Sequence, residues 1–332
     1  MPDGEASGVP GAGQAGRRVV LLAGGVGGAR LAHGLQAILG DRLTVIVNTA
    51  DDLERHGLLV CPDHDTVMYT LAGIDNREWG WGIADETFAN AGMLARYGEE
   101  TWFRLGDRDL ATHLVRTGRL VDGGRLTTIS VELQASLGIA ATILPMCDEP
   151  VRTQVETDEG WMDFQTYFVR RHQEPEVRAL RYDGIEAARA TPEVLAALAA
   201  ADLIVIAPSN PFLSVAPILG VAGVREAIEA ARGRGVHVVA VSGIIGGRAI
   251  KGPADRILAS LGHEATALGV ARLYADGADL FVLDAVDAAL EAGVRELGLD
   301  VLVTDTLMTD DSARRRVAAA VLDATTAPRT GG

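Results

Sequence analysis

Six short runs carry apolar side chains on both faces instead of alternating with polar ones: "RVVLLAG" at 18–24, "LTVIVN" at 43–48, "DLIVIAPSN" at 202–210, "VHVVAVSG" at 236–243, "DLFVLD" at 279–284 and "DVLVTDT" at 300–306. Strands buried on both faces belong in a parallel sheet covered by helices. Between and after the later runs, "GVREAIEAARGRG", "ADRILASLG", "AALEAGVRELG" and "DDSARRRVAAAVLDA" repeat apolar residues at helical spacing, and several stop at Gly. The alternation predicts an α/β fold: a Rossmann-like, mostly parallel sheet with helices on both faces.

The rhythm lapses between about 75 and 200. "DETFANAGMLARYG", "DRDLATHLVRTGR" and "LTTISVELQASLG" read as helices, and the alternation in "GWMDFQTYFVRR" reads as a hairpin or edge strand. This predicts a largely helical insertion lying over the strand ends as a lid or substrate-facing part. The whole of 18–323 is then one α/β domain, with 1–17 and 324–332, rich in small residues, as disordered tails.

Composition narrows the chemistry. With 48% hydrophobic and 23% charged residues the chain is ordinary and globular, which excludes bulk disorder. A net charge of −15 argues against nucleic acid and anionic membrane as partners, because both are bound through basic patches. A small anionic ligand needs local help from backbone N–H groups, arginines or a metal; Lys251 is the only lysine. Two cysteines, Cys61 and Cys147, make neither a disulfide framework nor a zinc site. No signal-peptide pattern opens the chain, and its longest apolar run, 194–208, is broken by Asp202, so a cytoplasmic protein is expected.

Two adjoining stretches hold the candidate chemistry. In "LLAGGVGGARLAHGL", Gly24, Gly25, Gly27 and Gly28 join a strand to a helix start, either as a phosphate-facing turn or as a tight turn with nothing bound. The dinucleotide fingerprint G-x-G-x-x-G fails, because Arg30 stands at its third glycine. In "LTVIVNTADDLERHGLLVCPDHDTVMYTL" a strand ends in Asn48, Thr49, Asp51 and Asp52, and Asp63 and Asp65 follow. One carboxylate suffices to hold the ribose of a bound NAD, whereas two acidic clusters suit Mg²⁺ sharing oxygens with phosphates, with Asp52, Asp63 and Asp65 as ligands. Asp63 or Asp65 also fits the N-cap of the next helix.

Three further loops join the list. Asp107 and Arg108 in "LGDRDLATH" fit a helix cap or a ligand contact; Ser209, Asn210 and Ser214 end a core strand as donors to a ligand or as a plain Asx turn, with Pro211 among the substrate-facing residues and shaping that turn. "SGIIGGRAIKGPADR" brings Gly246, Lys251 and Gly252 to the end of the following strand as a second anion-facing loop. No Ser-His-Asp arrangement is readable. Trp79, Trp81, Phe88, Trp102 and Phe103 are read mainly as lid core, with a part left to stack on a flat ligand.

Taken in order, "GGVGGARL", "NTADD", "CPDHDTVMYTLAG", "WGWGIADETF", "LGDRDLATHLVRTGRL", "ILPMCDEPVRT", "APSNPFLSV", "SGIIGG" with "KGPA", and "DTLMTD" resemble the CofD-type 2-phospho-L-lactate transferase family over about 19–319. The resemblance implies an Mg²⁺-dependent transferase of coenzyme F-420 biosynthesis. It would move a phosphoenolpyruvyl or 2-phospho-L-lactyl group from a guanosine-diphosphate-activated donor to the ribityl hydroxyl of the deazaflavin Fo, releasing GMP, and work as a homodimer. By position Asp52 is the candidate general base, with Asp63 the other catalytic carboxylate. A nucleotide-sugar-binding regulatory relative and an NAD(P)-dependent oxidoreductase are the alternatives. The "WGWGIADETF" and "SNPFLS" stretches resemble the transferase branch, and the imperfect glycine fingerprint speaks against the oxidoreductase.

Overall fold

The structure is a computed structural model describing residues 16–325, so nearly all of both expected tails lies outside the described residues. Seven parallel strands form the central sheet: β1 (Val19–Ala23), β2 (Leu43–Val47), β3 (Thr142–Pro145), β4 (Leu203–Ile206), β5 (His237–Val241), β6 (Leu280–Asp284) and β7 (Asp300–Thr304). Their spatial order is β7-β6-β5-β4-β1-β2-β3. The chain leaves β1 toward one edge through β2 and later returns to the other side through β4. The switch point therefore falls between β1 and β4, where Val19 stands opposite both Leu43 and Leu203.

The two-sided apolar pattern does what it predicts. Val20 and Leu22 of β1 pack into one core with Ile46, Ile204 and Phe281, while Val19, Leu21 and Ala23 pack into the other with Val45, Val205 and Val317. Each fully buried Val, Leu or Ile is worth about 1.5–3 kcal/mol, so an open sheet with two dry faces fixes the register strongly. Helix α1 (Gly25–Leu39) lies on the second face beside the helix Asp311–Asp323, and Gly34 lets them meet: a Cβ there would stand 2.1 Å from the Arg314 carbonyl oxygen. Among the described residues, no helix is long and apolar enough to cross a membrane.

After β2 the acidic turn runs into a small hairpin (Leu53–Arg55 with Leu58–Val60), tightened by positive φ at His56 and Gly57, and then into α2 (Pro62–Ala72). The inserted region is helical mainly in its first half, with α3 (Ala89–Arg96), α4 (Asp107–Val121) and α5 (Leu126–Ser136), and carries a later helix at Pro192–Ala199. It then returns β3 to the sheet edge and lays down a three-stranded antiparallel sheet of Arg152–Thr157, Gly160–Asp163 and Ala179–Asp183. Of "GWMDFQTYFVRR", the first part is the edge strand Gly160–Asp163 and Thr166–Arg170 a π-helical turn.

Candidate functional site

The glycine turn has almost no length. Gly24 is extended (φ −155°) and α1 begins at Gly25, whose φ of +61° suits a residue without a Cβ. The N–H of Gly24 donates to Ser209 Oγ at 3.1 Å, and that hydroxyl donates back to the Gly24 carbonyl at 2.7 Å. This pair of hydrogen bonds staples the end of β1 to the end of β4 across the switch point. Three of the four glycines make room for the chain itself. A Cβ at Gly24 would meet Asp63 Oδ2 at 2.5 Å, one at Gly27 the Pro208 carbonyl oxygen at 2.3 Å, and one at Gly28 the Ala23 Cβ at 2.8 Å. Gly27→Val is accordingly expected to cost about 1–3 kcal/mol of stability, seen as a lower midpoint in ligand-free thermal unfolding, because Pro208 is backbone and cannot step aside.

The acidic turn leans on this staple. The Asn48 carboxamide donates from Nδ2 to Asp63 Oδ2 at 3.0 Å, and its Oδ1 accepts from the Ala50 N–H at 3.0 Å. Thr49 is buried with its hydroxyl 4.0 Å from Cys147 Sγ. Behind the turn stands the antiparallel sheet: Thr153 N–H donates to the Ala50 carbonyl at 2.7 Å and Gln165 Nε2 to the Asp51 carbonyl at 2.9 Å. The carboxylates are thus presented by a backbone held from both sides. Asp51 Oδ1 and Asp52 Oδ1 are buried with no hydrogen-bond partner among the described residues.

Their acidities follow from burial. Burial, then the charge of Asp63, drives Asp51 well above the carboxylate range. Burial lifts Asp52 to about 7 against the pull of Arg152, and lifts Asp63 to about 6 against hydrogen bonds from Asn48 and the Gly25 N–H. Buried carboxylates without enough positive charge are a donor set that fits a hard divalent cation.

Asp65 stands apart. Although burial pushes its pKa up, the guanidinium of Arg116 outweighs it and holds the carboxyl far below the usual range. Arg116, fully buried, donates from Nη1 to Asp65 Oδ2 at 3.1 Å, from Nη2 to Asp65 Oδ1, and from Nη1 to the Leu59 carbonyl at 3.3 Å. His113 Nδ1 lies 3.3 Å from Arg116 Nη1 and its Nε2 3.3 Å from Asp109 Oδ1, which accepts from the Tyr69 hydroxyl at 2.6 Å. Asp65, Asp109 and His113 are close enough together to hold a metal ion, yet the cation beside them is an arginine that already binds both Asp65 oxygens. The network bolts α4 to α2. Neither Asp63 nor Asp65 is an N-cap; Cys61 takes that place and Pro62 opens the helix.

The other expected residues divide. Asp107 spends its oxygens on the Thr87 hydroxyl (2.6 Å) and the Ala89 and Asn90 N–H groups (2.9 Å each), so it caps α3 rather than its own helix. Arg108 donates to the Ala84 carbonyl at 2.9 Å. Asn210 makes the Asx turn around Pro211, its Oδ1 accepting from the Phe212 and Leu213 N–H groups, and its Nδ2 is buried with no partner among the described residues. Gly246 (φ +56°) donates its N–H to Asp287 at 3.0 Å, and Gly252 has φ +74°. Lys251 reaches the Trp79 carbonyl at 3.1 Å and lines a cavity of about 70 Å³ with Val26, Gly27, Arg30, Pro208 and Ser242.

Sequence reasoning missed two groups. The polar face Asp109, His113, Arg116 was legible as residues four and three apart on one helix, a stripe that needs a buried partner. Arg30 was seen only as a break in a glycine pattern.

Comparison with known proteins identifies the family and the fold. The family model described as "2-phospho-L-lactate transferase CofD" matches residues 19–321. A phosphoenolpyruvate transferase of Streptomyces griseus is 45% identical over 313 residues, covering 92% of this chain and 98% of that protein. A 2-phospho-L-lactate transferase of Methanosarcina mazei is 41% identical over 308 residues, covering 92% and 100%. A crystal structure of a UPF0052-family protein from Bacillus halodurans superposes with a TM-score of 0.63 over 92% of this chain and 99% of that one; at 17% identity it shows the shared α/β fold.

Proposed function

The chain belongs to the 2-phospho-L-lactate transferase CofD family, a CofD-type transferase of coenzyme F-420 biosynthesis, and from that premise we propose its reaction: transfer of a phosphoenolpyruvyl or 2-phospho-L-lactyl group from a guanosine-diphosphate-activated donor to the ribityl hydroxyl of Fo, releasing GMP. The observation that carries the reading is the set of buried, under-neutralised carboxylates Asp51, Asp52 and Asp63, of which Asp63 lies against Gly24 and Gly25 beside the switch point of the sheet.

Asp51 and Asp63 are the oxygens that would hold Mg²⁺, while Asp65 is committed to Arg116. When bound, the ion supplies positive charge for the donor's phosphates and polarises the phosphorus under attack. Asp52, with a pKa raised to about 7, suits the role of general base: it can accept the ribityl hydroxyl's proton near neutral pH as that oxygen attacks in line. The Gly24 staple and the sheet behind Ala50 and Asp51 fix the geometry, so positioning supplies much of the rate. The same reading gives small-molecule substrates and a homodimer, for which exposed Leu114 and Val121 of α4 and Val131 of α5 offer an apolar face.

The test is an incubation with Fo, Mg²⁺ and each activated donor in turn, following GMP. Release that needs Fo and Mg²⁺ is expected with one donor or both. Binding of the donor without turnover would favour the regulatory relatives, and absence of both would end the proposal.

A further inference from the structure

The glycine turn has two sides of opposite charge. Gly24 and Gly25 face Asp63, whereas Val26 and Gly27 line the cavity of about 70 Å³ that also takes Arg30, Lys251 and Met308 into its wall. No acidic side chain lines that cavity. Arg30 is half-buried, and among the described residues its guanidinium makes no hydrogen bond or ion pair; Asp75 acts on it only as a longer-range charge, opposed by Arg314. Lys251, the only lysine of the chain, uses one of its three donors on the Trp79 carbonyl. A protein of net charge −15 keeps two cations here with donors to spare.

We propose that Arg30 and Lys251 form an oxyanion subsite on the side of the glycine turn away from the carboxylates, binding the negatively charged group of the donor that the acidic turn does not hold. The assignment rests on the transferase reading for the identity of its ligand, and on the cavity for its existence. A guanidinium fork with free donors matches a planar carboxylate or two phosphate oxygens, and Lys251 adds a point charge across a space about the size of one such group. The donor carries both chemistries, a diphosphate and a carboxylate, so one of them is left over once the acidic turn has engaged the other.

Calorimetric titration of the full chain with inorganic pyrophosphate and with oxalate, in metal-free buffer, separates the sources. Wild-type protein is expected to bind at least one probe, and Arg30→Gln and Lys251→Gln each to weaken that binding by about tenfold or more, with Arg30→Lys recovering part. Preference for pyrophosphate assigns the subsite to phosphate, preference for oxalate to the carboxylate. Wild-type protein that binds neither probe, or folded variants that bind as the wild type does, would overturn the subsite. In turnover assays Arg30→Gln is expected to raise KM for the donor and leave KM for Fo unchanged. Loss of probe binding in a protein that never releases GMP would keep the subsite and remove the transferase reading; normal turnover with unaltered variants would do the reverse.

Discussion

Asp63→Asn is expected to stop turnover almost completely, by about 10²–10³-fold or more, while raising the unfolding midpoint of the metal-free protein. The two effects share one cause. Asp63 sits against Asn48 and the N-terminus of α1 with a pKa lifted from 3.8 to about 6, so its ionised form is held at a cost that only an incoming cation relieves. Asparagine keeps the shape and removes the charge. Asp52→Asn should lose activity to a similar degree, since its pKa of about 7 is what makes it a usable base. Wild-type rates in both variants would remove the acidic turn from the mechanism.

The same shifts give a pH dependence with a definite sign. A carboxyl whose folded pKa exceeds its unfolded value binds more protons in the native state, so stability falls as pH rises. For Asp52 and Asp63 the fall runs from about pH 4 to about 7, and the still higher pKa of Asp51 extends it upward. Asp65 acts in the opposite sense, but below that window, its contribution being lost as pH falls from the unfolded carboxylate value downward. Thermal scans without metal should show the midpoint dropping across the range, and Mg²⁺ should flatten the slope. A flat metal-free profile would mean that these carboxylates are solvated and unstrained.

Arg116→Met is expected to destabilise the protein by about 3–5 kcal/mol, because it strands the ionised Asp65 in a buried site with only His113 and His64 near it. Activity should fall with it, since α2 carries both Asp65 and Asp63. The double variant Asp65→Asn with Arg116→Met removes both charges and should regain most of the loss in denaturant unfolding. A single variant within about 1 kcal/mol of wild type would show that the pair is solvated rather than buried.

What the sequence made legible was what local pattern determines. Six of the seven central strands announce themselves by apolar runs, and the glycine and acidic turns fall where the chain leaves β1 and β2. Strand β3 does not, because it is only four residues long, follows a helix closely and ends in Pro145 at the edge of the sheet. Arg116 and Asp65 lie 51 residues apart, and no spacing rule connects them. The glycines carry a different lesson. A glycine that admits a ligand and one that admits a carbonyl oxygen look alike in a sequence, and Gly27 is the second kind.

The antiparallel sheet that hydrogen-bonds to Ala50 and Asp51 also settles what can be cut away. A shortened protein built from the seven parallel strands and their helices would retain every acidic residue of the turn, but would lose the Thr153 and Gln165 donors that hold its backbone in place. For engineering, the inserted region is therefore part of the site's scaffold, since it shares the backbone hydrogen bonds of the acidic turn. Loop trimming should keep the strands of 152–183 and confine itself to the exposed turn at Asp158 and Glu159 that joins two of them.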